Sequence, residues 1–240
     1  MKDYKERTLG EIVTDNIHAK QIFEVNKIDY YNNGQQTLRE ACQGKIITVE
    51  DIIQGIGRIK IDIIDRDDKM NKLSITELCD YIVERFHRKQ NEMMDAISVM
   101  FVRVVEKYQA TYPELIGARN IFELTKAGIN FHQVKEEITF FPFFRNMEKV
   151  KSNHGTINEQ NKSIVDSVKV LKNEQKLQAG AFTKIRQMLN DYVLPDDADN
   201  LFKATAGMLQ DLEEDLHLHL HAENNILFSN ALELFQEICQ

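Results

Sequence analysis

The sequence predicts an all-α protein, a four-helix bundle preceded by a small all-helical N-terminal domain. Three observations lead there. The 240 residues contain only 3 prolines and 10 glycines. The rest is rich in Leu, Ile, Glu, Lys and Gln, residues that enter a helix at little cost. Helix-start signals recur, and apolar residues then repeat at helical spacing over long segments.

The start signals come first along the chain. Thr8 with Glu11, Thr37 with Glu40, Thr48 with Asp51 and Ser74 with Glu77 each read S/T-x-x-E/D. In that pattern the hydroxyl caps an early amide while the acid reaches back to the cap's own N–H. The first three mark short helices, separated by the polar turn Tyr31-Asn32-Asn33-Gly34 and by Gly44. The charged stretch Asp65-Arg66-Asp67-Asp68-Lys69 reads as a solvated linker. This divides the chain into residues 1–65, a linker at 66–73 and a bundle at 74–240.

Beyond the linker the segments lengthen. Leu78, Ile82, Phe86, Met93, Ile97, Met100 and Val104 outline a first long helix over residues 74–108, ended by Tyr112-Pro113. A second is expected over 114–144, with Pro142 near its end, and a third over 152–192 with a break near Gly180. Leu194-Pro195-Asp196-Asp197 closes the third and opens a fourth that reaches about Phe228. Four long amphipathic helices with short connections pack as an antiparallel bundle.

Charge and cysteine usage exclude several function classes. Asp and Glu number 38 against 30 Lys and Arg, a net charge of -8, with no long basic run. Nucleic acid is therefore not an expected partner, because phosphate binding needs clustered cations. The charged start MKDYKERT is not followed by an apolar segment, so no secretory leader is expected. No apolar run approaches the roughly 20 residues of a membrane helix. Cys42, Cys79 and Cys239 form neither a CxxC pair nor a disulfide framework. A cytoplasmic protein is the reading. There is no G-x-S-x-G, and the lone Gly55-Ile56-Gly57 lacks the rest of a phosphate loop.

The histidines carry the chemistry. His132 with Glu136 and His219 with Glu223 both read H-x-x-x-E on predicted long helices. Four residues turn an α-helix through about 400°, which puts both side chains on one face. One such pair is ordinarily a surface contact worth a few tenths of a kcal/mol. Two pairs on different helices of a bundle can present two imidazoles and two carboxylates to a common point. The surroundings, Phe131, Ile138, Phe140 and Phe141 for one and Leu216, Leu220, Ile226 and Leu227 for the other, are apolar. A buried glutamate there needs a compensating partner. His87 and His154 supply further nitrogens. Imidazole suits iron, and a carboxylate bridging two cations offsets their charge. His217 and His221 also lie four apart but face away from His219. The outer pair forming its own site is the alternative, and the mirrored motif favours His219. His217 and His221 then stand at the surface or behind the ligands.

Several of these segments resemble a known family. His132-Gln133-Val134-Lys135-Glu136-Glu137 followed by Phe141-Pro142 is similar to the H-x-x-K-E-E…F-P segment of hemerythrin-like proteins. The run from Asp215 to Phe228 resembles the DL-x-x-H-x-H-x-ENN-x-LF segment of the repair-of-iron-centres family, the ScdA-type di-iron proteins. Thr8-Leu9-Gly10-Glu11-Ile12-Val13, Ile28-Asp29-Tyr30 and Thr37-Leu38 with Ala41-Cys42 resemble that family's leading domain.

The resemblance implies a hemerythrin-like four-helix bundle holding two non-haem iron ions, bridged by carboxylates and an oxo group. The implied ligands are His87, His132, Glu136, His154, His219 and Glu223, with both glutamates as bridges. It implies repair of iron–sulfur proteins damaged by oxidative or nitrosative stress, through iron donation or nitric oxide handling. The alternative is a hemerythrin-like protein that binds or senses oxygen or nitric oxide without repair. A homodimer is compatible with the family's two-domain architecture. Tyr31 and Asn32 occupy the positions of the family's adjacent cysteines, so thiolate chemistry is not expected there.

Overall fold

The computed structural model describes residues 4–58, 70–158 and 162–239. The charged stretch from Asp65 to Lys69 lies outside the described residues. The chain is all-α: helices follow one another along it, and the described residues contain no β-strand. It divides into two compact units.

The first unit takes in the described residues of Met1–Cys79, Phe144–Asn161 and Leu218–Gln240. Its leading part holds α1 (Leu9–Asp15), α2 (Ala19–Val25), α3 (Leu38–Cys42) and α4 (Val49–Arg58). Each predicted start signal is made. Thr8 and Thr37 form complete capping boxes with Glu11 and Glu40. Thr48 with Asp51 and Ser74 with Glu77 exchange the same pairs of bonds. The starts of α1 and α3 are tied together, Leu9 N–H donating to Gln36 O at 2.8 Å and Leu38 N–H to Arg7 O at 3.0 Å. Leu9, Ile12, Phe23, Tyr30, Leu38 and Ile52 form the buried core of this part.

The same unit contains the start of α5 (Ile75–Ile82), most of α8 (Phe141–Ser152), and α11 (Phe228–Ile238). Glu148 on α8 accepts the N–H groups of Ile75 and Thr76 at 3.1 and 3.0 Å. It thereby satisfies donors that a helix start leaves open. Phe144 and Phe228 pack edge to face, their ring centroids 6.2 Å apart.

The second unit, Asp80–Phe143 with the described residues of Lys162–His217, holds α6 (Arg88–Tyr108), α7 (Glu114–Lys135), α9 (Lys162–Met188) and most of α10 (Asn200–His221). Phe86, Ile97, Phe101, Phe122, Phe182 and Leu209 are buried in it. Pro113 caps α7 as the break at Tyr112-Pro113 predicts. Asp199 Oδ1 caps α10 by accepting Phe202 N–H at 2.9 Å.

Two helix expectations differ from the structure. Gly180 does not interrupt α9, which runs unbroken through it with open space where a Cβ would lie. Nor does helix end near Pro142. A π-helical turn, Glu136–Phe140, precedes it and α8 continues to Ser152. Proline cannot donate to the residue four back, and a π-turn already shifts the bonding pattern there. The third long helix consequently starts at Lys162 rather than near residue 152.

Candidate metal centre

Three of the six expected ligands, His87, Glu136 and Glu223, lie in irregular helical turns. Among the described residues, π-helical turns interrupt the helices at Val83–His87, Glu136–Phe140 and Ala222–Leu227. His87 ends the first, Glu136 begins the second and Glu223 is second in the third. A π-turn inserts one residue into the helical ladder and is frequent at functional sites. It swings the next side chains to bearings that an ideal α-helix denies them.

In the second unit Glu136 is fully buried between two imidazoles. Its Oε1 lies 3.0 Å from His132 Nε2 and its Oε2 lies 3.5 Å from His87 Nε2. The far side of each ring is held from outside the pair. His87 Nδ1 donates to Glu137 Oε1 at 2.8 Å, and His132 Nδ1 donates to Glu174 Oε2 at 2.9 Å. Glu174 also accepts two bonds of 2.6 Å from Lys135 Nζ. Burial works to raise the Glu174 pKa, but the Lys135 and His132 bonds outweigh it and hold the carboxyl below its usual range. Phe141 stacks on the His87 ring with centroids 5.9 Å apart.

This donor set fits a metal. With its Nδ1 proton given to an outer carboxylate, each imidazole in its neutral form keeps an Nε2 lone pair turned toward a Glu136 oxygen. Two lone pairs facing each other at 3.0 Å call for a cation between them. Imidazole anchored through its other nitrogen by a carboxylate is the usual form of a histidine ligand.

In the first unit the second motif is equally buried. His219 Nε2 lies 3.0 Å from Glu223 Oε1, with the two residues 2% and 0% exposed. Each of His87, Glu136, His219 and Glu223 is buried and offers an atom suited to a metal ion. His154 differs. It stands exposed in the turn after α8, in left-handed conformation at φ 52°.

Other expectations need correction. His217 and His221 are buried, at 2% and 0% exposure, so neither is a surface residue. Burial pushes the His221 imidazole down to about 3. Phe131 and Ile138 face solvent instead of surrounding the first pair, whereas Phe140 and Phe141 are buried as expected. Cys42 and Cys79 are buried, and burial raises the Cys42 thiol, which disfavours a thiolate ligand.

Sequence reasoning missed Glu174, because a glutamate between Asn173 and Gln175 reads as an ordinary exposed helix position. It also missed a polar layer in the second unit. Gln90 Nε2 donates to Asp215 Oδ2 at 3.0 Å, and Arg85 donates to Asp215 Oδ1 at 2.8 Å. The signal available was Gln90 itself, an amide at an apolar-stripe position of α6.

Comparison with known proteins bears on these residues. The ScdA_N family, described as a domain of unknown function (DUF542), matches residues 5–60. The chain is 25% identical over 230 residues to the iron-sulfur cluster repair protein YtfE of Escherichia coli strain K12 / DH10B, covering 95% of this chain and 98% of that protein. The proteins of the same name from Escherichia coli O6:K15:H31 and Shigella boydii serotype 4 match to the same extent. Residues 5–60 are thus similar to the leading domain of ScdA-type proteins. The similarity to the YtfE proteins spans most of both chains. No helix among the described residues is long and apolar enough to cross a membrane.

Proposed function

We propose that His87, His132, Glu136, His219 and Glu223 hold a di-iron centre, and that the protein repairs iron–sulfur clusters damaged by oxidative or nitrosative stress in the cytoplasm. The carrying observation is Glu136, whose two oxygens each face a different imidazole. That is the arrangement of a bridging carboxylate with one nitrogen ligand on either side. Glu223 with His219 offers a second carboxylate and a third imidazole. His154 is exposed, and the proposal does not depend on it. The related YtfE proteins are named for iron–sulfur cluster repair, which supplies the reaction class.

Two bound irons would supply exchangeable metal and a place for nitric oxide. The protein's own residues do the rest. Glu137 and Glu174 fix which nitrogen of His87 and His132 is protonated, so the Nε2 atoms stay available as ligands. Phe141 is buried and stacks on the His87 ring, and an apolar neighbour of this kind strengthens charge interactions. Residues 1–65 are proposed as the leading domain of the family and 74–240 as the bundle.

The test is reactivation of a dehydratase whose iron–sulfur cluster has been damaged with nitric oxide. The iron-loaded protein should restore its activity, and Glu136→Ala should not. An iron-loaded wild type that leaves the dehydratase inactive would sink the repair role.

One observation favours a second reading. Tyr31 and Asn32 replace the family's adjacent cysteines, which removes a thiol from the leading domain. Reversible nitric oxide or oxygen binding, with no reactivation of the dehydratase, would establish a sensor instead.

A further inference from the structure

Asn225 lies two residues after Glu223 in the same π-helical turn, yet its side chain serves the N-terminal module. Its Nδ2 donates to Tyr30 O at 3.1 Å and to His221 Nδ1 at 3.0 Å. The neighbouring Asn224 donates to Tyr31 O at 3.3 Å. Two successive amides thus take two successive carbonyls of the turn that follows Asp29. Accepting at Nδ1 leaves the His221 proton on Nε2, which faces Thr14 Oγ1 on α1 at 3.4 Å. The Tyr30 ring covers the same imidazole, with centroids 5.7 Å apart.

Two glycines make room for this amide. A Cβ on Gly34 would sit 2.0 Å from Asn225 Oδ1, and one on Gly10 would sit 3.1 Å from Asn225 Cγ. Gly10 N–H donates to Gly34 O at 2.8 Å, so the two walls are bonded to each other. Neither glycine has a positive φ, in contrast to Gly44. The backbone conformation therefore does not call for glycine at these positions; the space taken by Asn225 does.

We infer that Gly10 and Gly34 form a socket for Asn225, through which the N-terminal module holds the Glu223 turn in its ligating π-helical form. A π-turn is less favourable than the α-helix around it and persists where something outside the helix holds it. Relaxing it to α-helix would rotate Asn225 out of the socket and re-aim Glu223. Asn225 is then a positioning residue, and the N-terminal module controls how firmly the centre keeps its metal. This rests on the reading of Glu223 as a ligand.

The test compares iron-loaded and apo forms of full-length wild type, Gly34→Ala, Asn225→Ala, the double variant, and Gly57→Ala, whose Cβ would meet nothing within 4 Å. Two quantities are measured: hydrogen exchange of the amides of residues 222–227, and the rate of iron release to a chelator. Gly34→Ala should retain its circular dichroism yet exchange and release about tenfold faster, the change expected of one lost hydrogen bond. Gly57→Ala should match wild type. The double variant should be no worse than Asn225→Ala alone, because the overlap has gone. A folded Gly34→Ala with wild-type exchange at 222–227 overturns the socket, with or without metal. Should Gly34→Ala fail to fold, Asn225→Ala decides by the same exchange measurement. Absence of iron from wild type defeats the di-iron reading alone, and the exchange data still judge the socket.

Discussion

His132 donates its Nδ1 proton to Glu174 at 2.9 Å, across from α7 to α9, while its Nε2 faces Glu136 at 3.0 Å. One imidazole is thus held between an outer carboxylate that orients it and an inner one that shares its ligand direction. His87 repeats the arrangement with Glu137 outside and Glu136 inside. The repetition is the strongest structural argument that Glu136 is there for a cation.

Removing an outer carboxylate should loosen the metal without abolishing the site. Glu174→Gln and Glu137→Gln each keep the side-chain shape and lose the charge. Outer partners of ligating histidines are typically worth about 10–100-fold in metal affinity. Competition against a chelator of known affinity measures this. Unchanged affinity in both variants would mean the outer carboxylates are ordinary surface groups.

Core and surface positions on α7 should separate cleanly. Phe122 is fully buried and packs on Phe101 with ring centroids 6.2 Å apart. Phe122→Ala should cost about 3–5 kcal/mol. Leu124, two residues on, is 76% exposed, and Leu124→Ser should stay within about 0.5 kcal/mol of wild type. Urea unfolding of the apo protein decides. A Phe122→Ala loss below about 1 kcal/mol would contradict the packing described.

Acid should weaken the fold through its helix caps. The Thr37 backbone and hydroxyl bonds hold the Glu40 carboxyl low, and the Lys107 bond with the Phe202 amide does so for Asp199. Asp51 and Glu77 are lowered in the same way by Thr48 and Ser74. A carboxyl whose folded pKa lies below its unfolded value of about 3.9–4.3 contributes stability above that value. The contribution is lost as pH falls through the folded pKa. Tm of the metal-free protein should therefore drop between about pH 5 and 3. Asp199→Asn should lower Tm at pH 6 and flatten the drop. A wild-type Tm independent of pH across that window would contradict the assignment.

Much of the helical plan was legible because it is written locally. A capping box needs only two residues three apart, and all four predicted ones form. Both H-x-x-x-E pairs are likewise local, and both are buried and in contact. The π-turns are not legible, since a helical period cannot reveal one inserted residue, and without them Pro142 reads as a helix end. Glu174 escaped for a different reason. Its partner His132 is 42 residues away, and nothing in the local pattern distinguishes it from a solvated glutamate. Asn224 and Asn225 carry no local signal beyond the family resemblance. Their partners Tyr30 and Tyr31 lie nearly two hundred residues earlier in the chain.

The central claim is a carboxylate-bridged pair of irons, and metal content per chain tests it most directly. Anaerobically purified wild type should carry close to two irons by mass spectrometry. Glu136→Ala and Glu223→Ala should each lose most of them while keeping the helical circular dichroism of wild type. One metal or none in wild type, or two irons retained in both variants, would contradict the account.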